Sequence, residues 1–350
     1  MNFMCKLKSF SLISLFIANV ATATTVKVMT YNVENLFDTT HDVNKDDYTY
    51  LPLLVKRNSD EVQNYCLGIP SWYQGACFNL NWDDKILKNK INNIAKVIKS
   101  ENPDILVLEE VENINVLNKL VNIGLKNQGY KYVSLVEGPD SRGIDIGVIS
   151  KFKFSKEVKL HHIDTASVDN NGKPDKETRG ILEASFKING KNITIFGNHW
   201  PSQSHPDESR VVAGKTLYQA INKKDDLVIA LGDFNTVEND KLSGIDEYLL
   251  NESREHTFID SETKFFNTYP ESTNQRGTHS HQGKWGSLDH IFVLNNNKNI
   301  SILWDSFKVV SHDYMFQINK HKNKVPFRFD TDLHDGYSDH LPVTISFSIK

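Results

Sequence analysis

Short apolar runs closed by polar clusters set the rhythm of this chain. Residues 26–33 alternate and carry β-branched side chains, which predicts a strand ending at Tyr31-Asn32-Val33-Glu34-Asn35. A long polar stretch over 38–82 reads as a loop and holds Cys66 and Cys77. Trp82-Asp83-Asp84 has the chemistry of a helix start. Leu87, Ile91, Ile94 and Ile98 then recur at helical spacing, and Pro103 follows the end. Residues 104–108 predict a buried strand that delivers Glu109 and Glu110. A second helix is expected over 115–128 and a third over 207–222. Further strands are expected over 130–136, 144–150, 181–188, 192–198, 227–231, 287–294 and 342–349. The polar stretches 164–177 and 269–284 read as loops.

Strands dominate, and most polar clusters fall just past strand ends. That pattern fits an α/β sandwich, with two sheets face to face, helices outside and a site along one rim. No repeat or linker divides the chain, so one domain is expected over 24–350. With 350 residues and 39% hydrophobic content, the chain can bury a core without metal or disulfide support. The formal charge of -4 excludes a broad basic face, so a polyanion would have to bind in a local groove helped by cations.

The first residues have a different character. Lys6 and Lys8 precede an apolar run over 10–20, and Ala21-Thr22-Ala23 gives a small-x-small cleavage pattern. This reads as a secretory signal peptide, residues 1–23, cut after Ala23. It implies an extracellular or periplasmic protein without stable membrane insertion. In such a compartment the pair Cys66 and Cys77 is expected to close a disulfide.

The groups at strand ends form a joint set: Asn32, Glu110, His199, Asp233, Asn235, Asp289, Asp339 and His340. Any one alone is an ordinary turn, cap or surface residue. Together they supply what phosphodiester hydrolysis needs. Carboxylate and amide oxygens suit Mg²⁺ or Mn²⁺, and histidines suit proton transfer near neutral pH. The cysteine and histidine spacing lacks a zinc pattern.

At these residues the chain resembles the endonuclease/exonuclease/phosphatase (DNase I-like) superfamily, in the form of its bacterial exported nucleases. Thr30-Tyr31-Asn32-Val33-Glu34-Asn35-Leu36-Phe37 is similar to the opening motif, and Leu108-Glu109-Glu110-Val111 to the metal-binding glutamate motif. Asn198-His199-Trp200-Pro201-Ser202, Gly232-Asp233-Phe234-Asn235, Ser287-Leu288-Asp289-His290-Ile291-Phe292 and Ser338-Asp339-His340-Leu341-Pro342-Val343 follow in family order. The resemblance implies a four-layer α-β-β-α sandwich of two mainly antiparallel sheets. It implies a secreted hydrolase of phosphoester bonds that cuts nucleic acid, DNA first and RNA second.

The same resemblance implies roles. Glu110 is the chief metal ligand, with Asn32 and Asp339 placing the metal or its waters. His340 is the general base, oriented by Asp289. Asp233 and Asn235 position the water, and His199 acts near the leaving group. Glu137 is expected to pair with His199, Arg179 to grip a phosphate, and Asp145 to reach the site. Trp200, His279, His281 and Trp285 are candidates for an aromatic rim that stacks on bases, with Trp285 read as packing. Glu109 stands where many relatives have glutamine, which is expected to add negative charge near the metal. The cofactor is Mg²⁺ or Mn²⁺, with a structural Ca²⁺ left open. No protein partner is implied, and a monomer is the default. Two alternatives remain. One is a lipid head-group phosphodiesterase or phosphatase, sphingomyelinase-like or inositol-phosphate phosphatase-like, which lacks the exposed apolar hairpin and substrate motifs expected of it. The other is a non-catalytic, toxin-like binding module, which would be expected to have lost a core group.

Overall fold

The computed structural model describes residues 23–222, 224–268 and 277–350. The signal-peptide segment 1–22 and part of the expected loop, 269–276, lie outside the described residues. Two six-stranded sheets form the body. The first has the order Ile300–Val309, Val343–Ile349, Thr24–Leu36, Ile105–Val111, Asp145–Ser150, Tyr132–Leu135. The second runs Lys159–His161, Ile181–Ile188, Lys191–His199, Leu227–Asp233, Asp289–Asn295, Ile259–Asp260.

Each sheet is antiparallel except at its centre. There Thr24–Leu36 runs parallel to Ile105–Val111, and Lys191–His199 runs parallel to Leu227–Asp233. A parallel pair needs a crossover, and each crossover contains a helix, Asp84–Glu101 in one case and Asp207–Ala220 in the other. The consequence is functional. Both strands of a parallel pair finish at the same edge, so four central strands deliver their last residues to one rim.

The alternation of side chains builds the layers. Val26, Val28, Val107, Ile195, Ile229 and Ile345 face inward and fill the space between the sheets. Met29, Tyr31 and Leu108 face outward onto Leu87, Ile91 and Ile94 of the first helix. Phe196, Ala230 and Phe292 pack on Ala213 and Leu217 of the other. This is the four-layer arrangement. The first helix starts where its sequence says it should: the Asp83 carboxylate accepts from the N–H groups of Lys85 and Ile86, both at 3.0 Å. It ends at Asn102, left-handed with φ 47°, just before Pro103.

Several segments differ from the sequence expectation, among them the helix Ser261–Thr268 and, inside the expected loop 269–284, the strand His279–His281. The stretch 38–82 is an insertion of short helices, Leu53–Arg57, Asp60–Gly68 and Ser71–Asn79, around a small core of Leu51, Val62, Cys66 and Cys77. Cys66 and Cys77 are joined, with their Cα atoms 5.6 Å apart. These helices are too short to show a period. The helix expected over 115–128 stops at Lys119 and opens into a wider turn, Leu120–Gly124. A Cβ on Gly124 would lie 2.8 Å from the Ala95 Cβ, so the glycine lets its segment pack directly on the Ala95 side chain. The edge strand Ile300–Val309 went unseen, because its half-buried, bulged pattern includes Trp304-Asp305-Ser306.

His290 pins the short edge strand Ile259–Asp260. Its Nδ1 lies 3.9 Å from Asp260 and 3.8 Å from Glu262, and its Nε2 is 3.2 Å from the Ser287 carbonyl. Burial opposes the charge, but Asp260 and Glu262 outweigh it and lift the imidazole to about 9. A raised pKa stabilises the fold fully below the unfolded value of 6.5, and the benefit is lost as pH rises through 9. The thermal midpoint should therefore fall across that window, by on the order of 2 kcal/mol of stability. His290→Gln should flatten the fall, and identical pH–stability curves for the two proteins would refute the pairing.

Candidate active site

The polar residues at the rim owe their direction to backbone irregularities. After Asn32 the first strand turns through Glu34 and Asn35, at φ 52° and 59°. In the second strand a register shift between Glu109 and Val111 coincides with φ 61° at Glu110. Asn235 adopts φ 49° just past Asp233. Non-glycine residues pay for this backbone, and its concentration at one rim fits a site held by its surroundings. Gly232 answers a separate need. A Cβ there would lie 2.0 Å from the Asn198 carbonyl, so only glycine lets these two strands approach.

The bulge separates the neighbouring glutamates. Glu109 points between the sheets, is fully buried and accepts the Thr30 hydroxyl at 2.5 Å. Burial pushes its carboxyl well above the ordinary range, and Asp289 and Asp233 push the same way. Glu109 is therefore protonated and neutral, which corrects the expected added charge. Glu110 instead faces the rim, where its Oε2 accepts the Asn35 N–H at 2.9 Å.

Asn32 links the two sheets. Its Nδ2 donates to Asp233 Oδ2 at 3.2 Å and to Glu110 Oε1 at 3.4 Å, while its Oδ1 accepts the Glu34 N–H at 3.0 Å. The amide thus orients the carboxylates, and one acceptor site of its oxygen is taken by the Glu34 N–H. The donors open to a cation on this side are Glu110 and Asp339, with side chains 21% and 24% exposed. Among the described residues, two groups of carboxylate and imidazole atoms lie within 4.8 Å: Asp233, Asp289 and His340, and His279, Asp339 and His340. Hard oxygen donors dominate this inventory and fit a divalent cation of the magnesium type.

Asp233 and Asp289 face each other across the ladder, and His340 sits between them. Its Nδ1 is 2.8 Å from Asp289 Oδ2, and its Nε2 is 3.8 Å from Asp233 Oδ2. Burial disfavours a charged ring, but the two aspartates outweigh burial and hold His340 protonated. Burial lifts Asp233 to about 7, although His340 pulls it back. His199 behaves in the opposite way. Its Nε2 lies 3.7 Å from Asp233 and 3.9 Å from Glu110, yet burial, followed by Arg179 and Arg142, holds it neutral. The environment thus pushes the two imidazoles in opposite directions, His340 up and His199 down.

The remaining expected residues fare differently. Asn235 belongs to the site: its N–H donates to Asp233 Oδ1 at 2.9 Å, and its side chain holds the Trp200 carbonyl at 3.1 Å. Glu137 does not pair with His199, whose Nδ1 is buried without a hydrogen-bond partner. Glu137 instead adjoins Asp145, which burial and Glu137 together raise to about 8. Asp145 is buried and accepts the Gly138 N–H at 2.8 Å, so it braces a loop and does not enter the centre. The Trp200 ring is fully buried against Phe234 and cannot stack on a base. Arg179 is only 4% exposed, and its Nη atoms hold the Trp200 carbonyl and Asp140 at 3.0 and 3.3 Å, while its Nε is buried without a hydrogen-bond partner. It braces the rim from inside. Trp285 packs edge-on to Phe316, and His281 is exposed. His279 reaches the site, its ring 4.8 Å from that of His340.

The structure adds residues the sequence did not single out. Arg328 Nε donates to Glu34 Oε1 at 2.6 Å, and its Nη2 lies 3.6 Å from Asp339. Arg142 pairs with Asp140 at 3.4 Å. Lys90 is buried, lowered by burial to about 8 and supported by Glu34, Asp339 and Glu110. Lys90 had a signal, a lysine on the apolar stripe Leu87, Ile91, Ile94. Arg328 had none, since its partners lie far away in the chain.

A model of the "Endonuclease/Exonuclease/phosphatase family" matches residues 76–349. No curated protein matches the sequence. Solved structures share the fold at low identity. An endonuclease/exonuclease/phosphatase family protein from Bacteroides thetaiotaomicron has a TM-score of 0.55 at 14% identity, over 94% of this chain and 99% of that one. D. rerio TDP2 complexed with single-strand DNA product has a TM-score of 0.52 at 13% identity, over 93% and 99%. A mannosyl-6-phosphatase from Bacteroides thetaiotaomicron has a TM-score of 0.52 at 15% identity, over 92% and 99%.

Because Glu109 is already neutral, Glu109→Gln should keep the thermal midpoint within the shift caused by about 1 kcal/mol. Turnover should stay within about twofold. A large loss of either, read by thermal denaturation and steady-state kinetics, would mean that Glu109 works as a carboxylate.

Proposed function

The chain belongs to the endonuclease/exonuclease/phosphatase family and is a phosphoester hydrolase, and on that premise we propose that it is a metal-dependent phosphodiesterase that cuts nucleic acid, DNA first and RNA second. The observation that carries this is the rim itself: a buried Asp289–His340 pair facing Asp233, with a neutral His199 and an open Glu110 across from it.

Mg²⁺ or Mn²⁺ held by Glu110 and Asp339 would supply positive charge to the phosphate oxygens and weaken the negative field that keeps His340 protonated. Asp289 fixes the tautomer of His340 and directs Nε2 toward Asp233. In its neutral form His340 would take the proton of the attacking water, which Asp233 and Asn235 hold in line, and Asp289 stabilises the imidazolium that results. His199, kept neutral, donates an N–H hydrogen bond to the departing oxygen, which takes its proton from water. Asn32 keeps Glu110 and Asp233 in register across the two sheets. No covalent intermediate is needed.

The single-strand DNA complex of TDP2 supports a nucleic-acid substrate, as does the resemblance to exported nucleases. Export is part of the proposal and rests on Lys6, Lys8, the apolar run 10–20 and Ala21-Thr22-Ala23. Among the described residues, no helix is long and apolar enough to cross a membrane. One observation favours a second reading, a lipid head-group phosphodiesterase. The helical insertion exposes Leu54, Leu67, Trp72 and Tyr73, an apolar display that its sequence did not reveal.

Digestion of supercoiled plasmid with Mg²⁺ or Mn²⁺, with chelator, and by His340→Ala separates the readings. Metal-dependent nicking that drops about 10²–10⁴-fold in the variant is expected. Absence of cleavage of plasmid, linear DNA and RNA, together with hydrolysis of sphingomyelin, would overturn the nuclease reading in favour of the lipid one.

A further inference from the structure

The catalytic set leaves two half-exposed arginines unused, and the topology puts them on opposite flanks. In the first sheet the strands bearing Asn32 and Glu110 are neighbours at the centre. Strand Asp145–Ser150 lies beyond them on one side and Val343–Ile349 on the other. Arg142 enters from the loop before the former strand, and Arg328 from the loop before the latter.

Each guanidinium is anchored on its inner edge and open on its outer one. Arg142 Nη2 lies 3.4 Å from Asp140 Oδ2, and the side chain is 55% exposed. Asp140 is itself buried and held from below by Arg179. Arg328 is fixed by Glu34, also buried, and remains 61% exposed. Burial works against both charges. Asp140 and Glu110 overcome it at Arg142, and Glu34, Asp339 and Glu110 overcome it at Arg328. Both arginines therefore feel the same central carboxylate, Glu110, from opposite sides. A planar fork with free donors is matched to phosphate oxygens. A lone phosphate over the centre has no use for a cation on each flank, whereas a strand carrying phosphates in series meets both.

We propose that Arg142 and Arg328 are specificity-determining residues that bind the phosphates on either side of the scissile one, so that the site selects an extended polynucleotide over an isolated phosphodiester. This rests on the nuclease reading above and names the feature of the substrate that the site measures.

The test compares kcat/KM for a single-stranded dodecamer and a dinucleotide of the same bases, with Mg²⁺ or Mn²⁺ present. Wild type, Arg142→Ala, Arg328→Ala and the two Lys variants are measured, with thermal midpoints recorded for each. The dodecamer-to-dinucleotide ratio should fall about tenfold in each Ala variant, through KM more than kcat, and recover in part with Lys. The salt dependence of dodecamer binding should also become shallower by about 1 in each Ala variant. A ratio unchanged in the folded Ala variants, or a Lys variant that lowers it no less than Ala, in an enzyme that cleaves both substrates overturns this inference alone. A wild-type enzyme that cleaves neither oligonucleotide overturns the nuclease reading and the inference with it.

Discussion

Crowding carboxylates into a buried rim is the constraint on which the rest of the structure depends. Asp233 and Asp289 are directly opposite in the ladder, and Glu109 lies beneath them in the space between the sheets. Like charges this close, in a medium of low dielectric, cannot all stay ionised without compensation. The protein answers in two ways. Glu109 is kept neutral by its burial. His340 is inserted between the aspartates and kept charged by them. On the other side of the rim, Lys90 and Arg328 do the same for Glu34 and Asp339. The negative charge that would draw a divalent cation to the centre is thus the charge the fold must hold in check.

The topology explains why these groups meet at all. Each sheet has one parallel pair at its heart, and a parallel pair ends on one edge. Stacking the two sheets brings both edges together, so Asn32 and Glu110 from one meet His199 and Asp233 from the other. The antiparallel neighbours begin where the parallel strands stop, which places Asp289 and His340 at the same edge. Backbone departures at Glu34, Asn35, Glu110 and Asn235 then aim the side chains.

Solved structures of the same fold at 13–15% identity include one complexed with single-strand DNA product and one named a mannosyl-6-phosphatase. Fold alone does not set the substrate, which has to be read from this chain's own rim. That rim carries the disulfide-braced insertion, the Asp140–Arg142 loop and the segment with Arg328. The insertion is tied to that loop through Lys45, whose Nζ donates to the Gly138 and Asp140 carbonyls. Changes in one are therefore felt in the other.

The sequence by itself determined the layer architecture and most of the polar groups that gather at the rim. Buried strands and the helix Asp84–Glu101 announce themselves by period, and Asn32, Glu110, Asp233, Asn235, Asp289 and His340 stand at strand ends that periodicity locates. Direction was another matter. Strict alternation would send Glu110 to the helix-side face, and only a bulge with positive φ turns it to the rim while Glu109 goes inside. Trp200 looked like a candidate for base stacking and is core, because the Asn198 side chain accepts its indole N–H at 2.9 Å and Phe234 covers its face. Glu137 adjoins Asp145, Arg179 is buried against the Trp200 carbonyl and Asp140, and Arg328 meets Glu34 across 294 positions. A local pattern reports burial along one element. Which of two neighbours faces a site, and which distant charges meet there, is set by long-range packing, and that belongs to the tertiary structure alone.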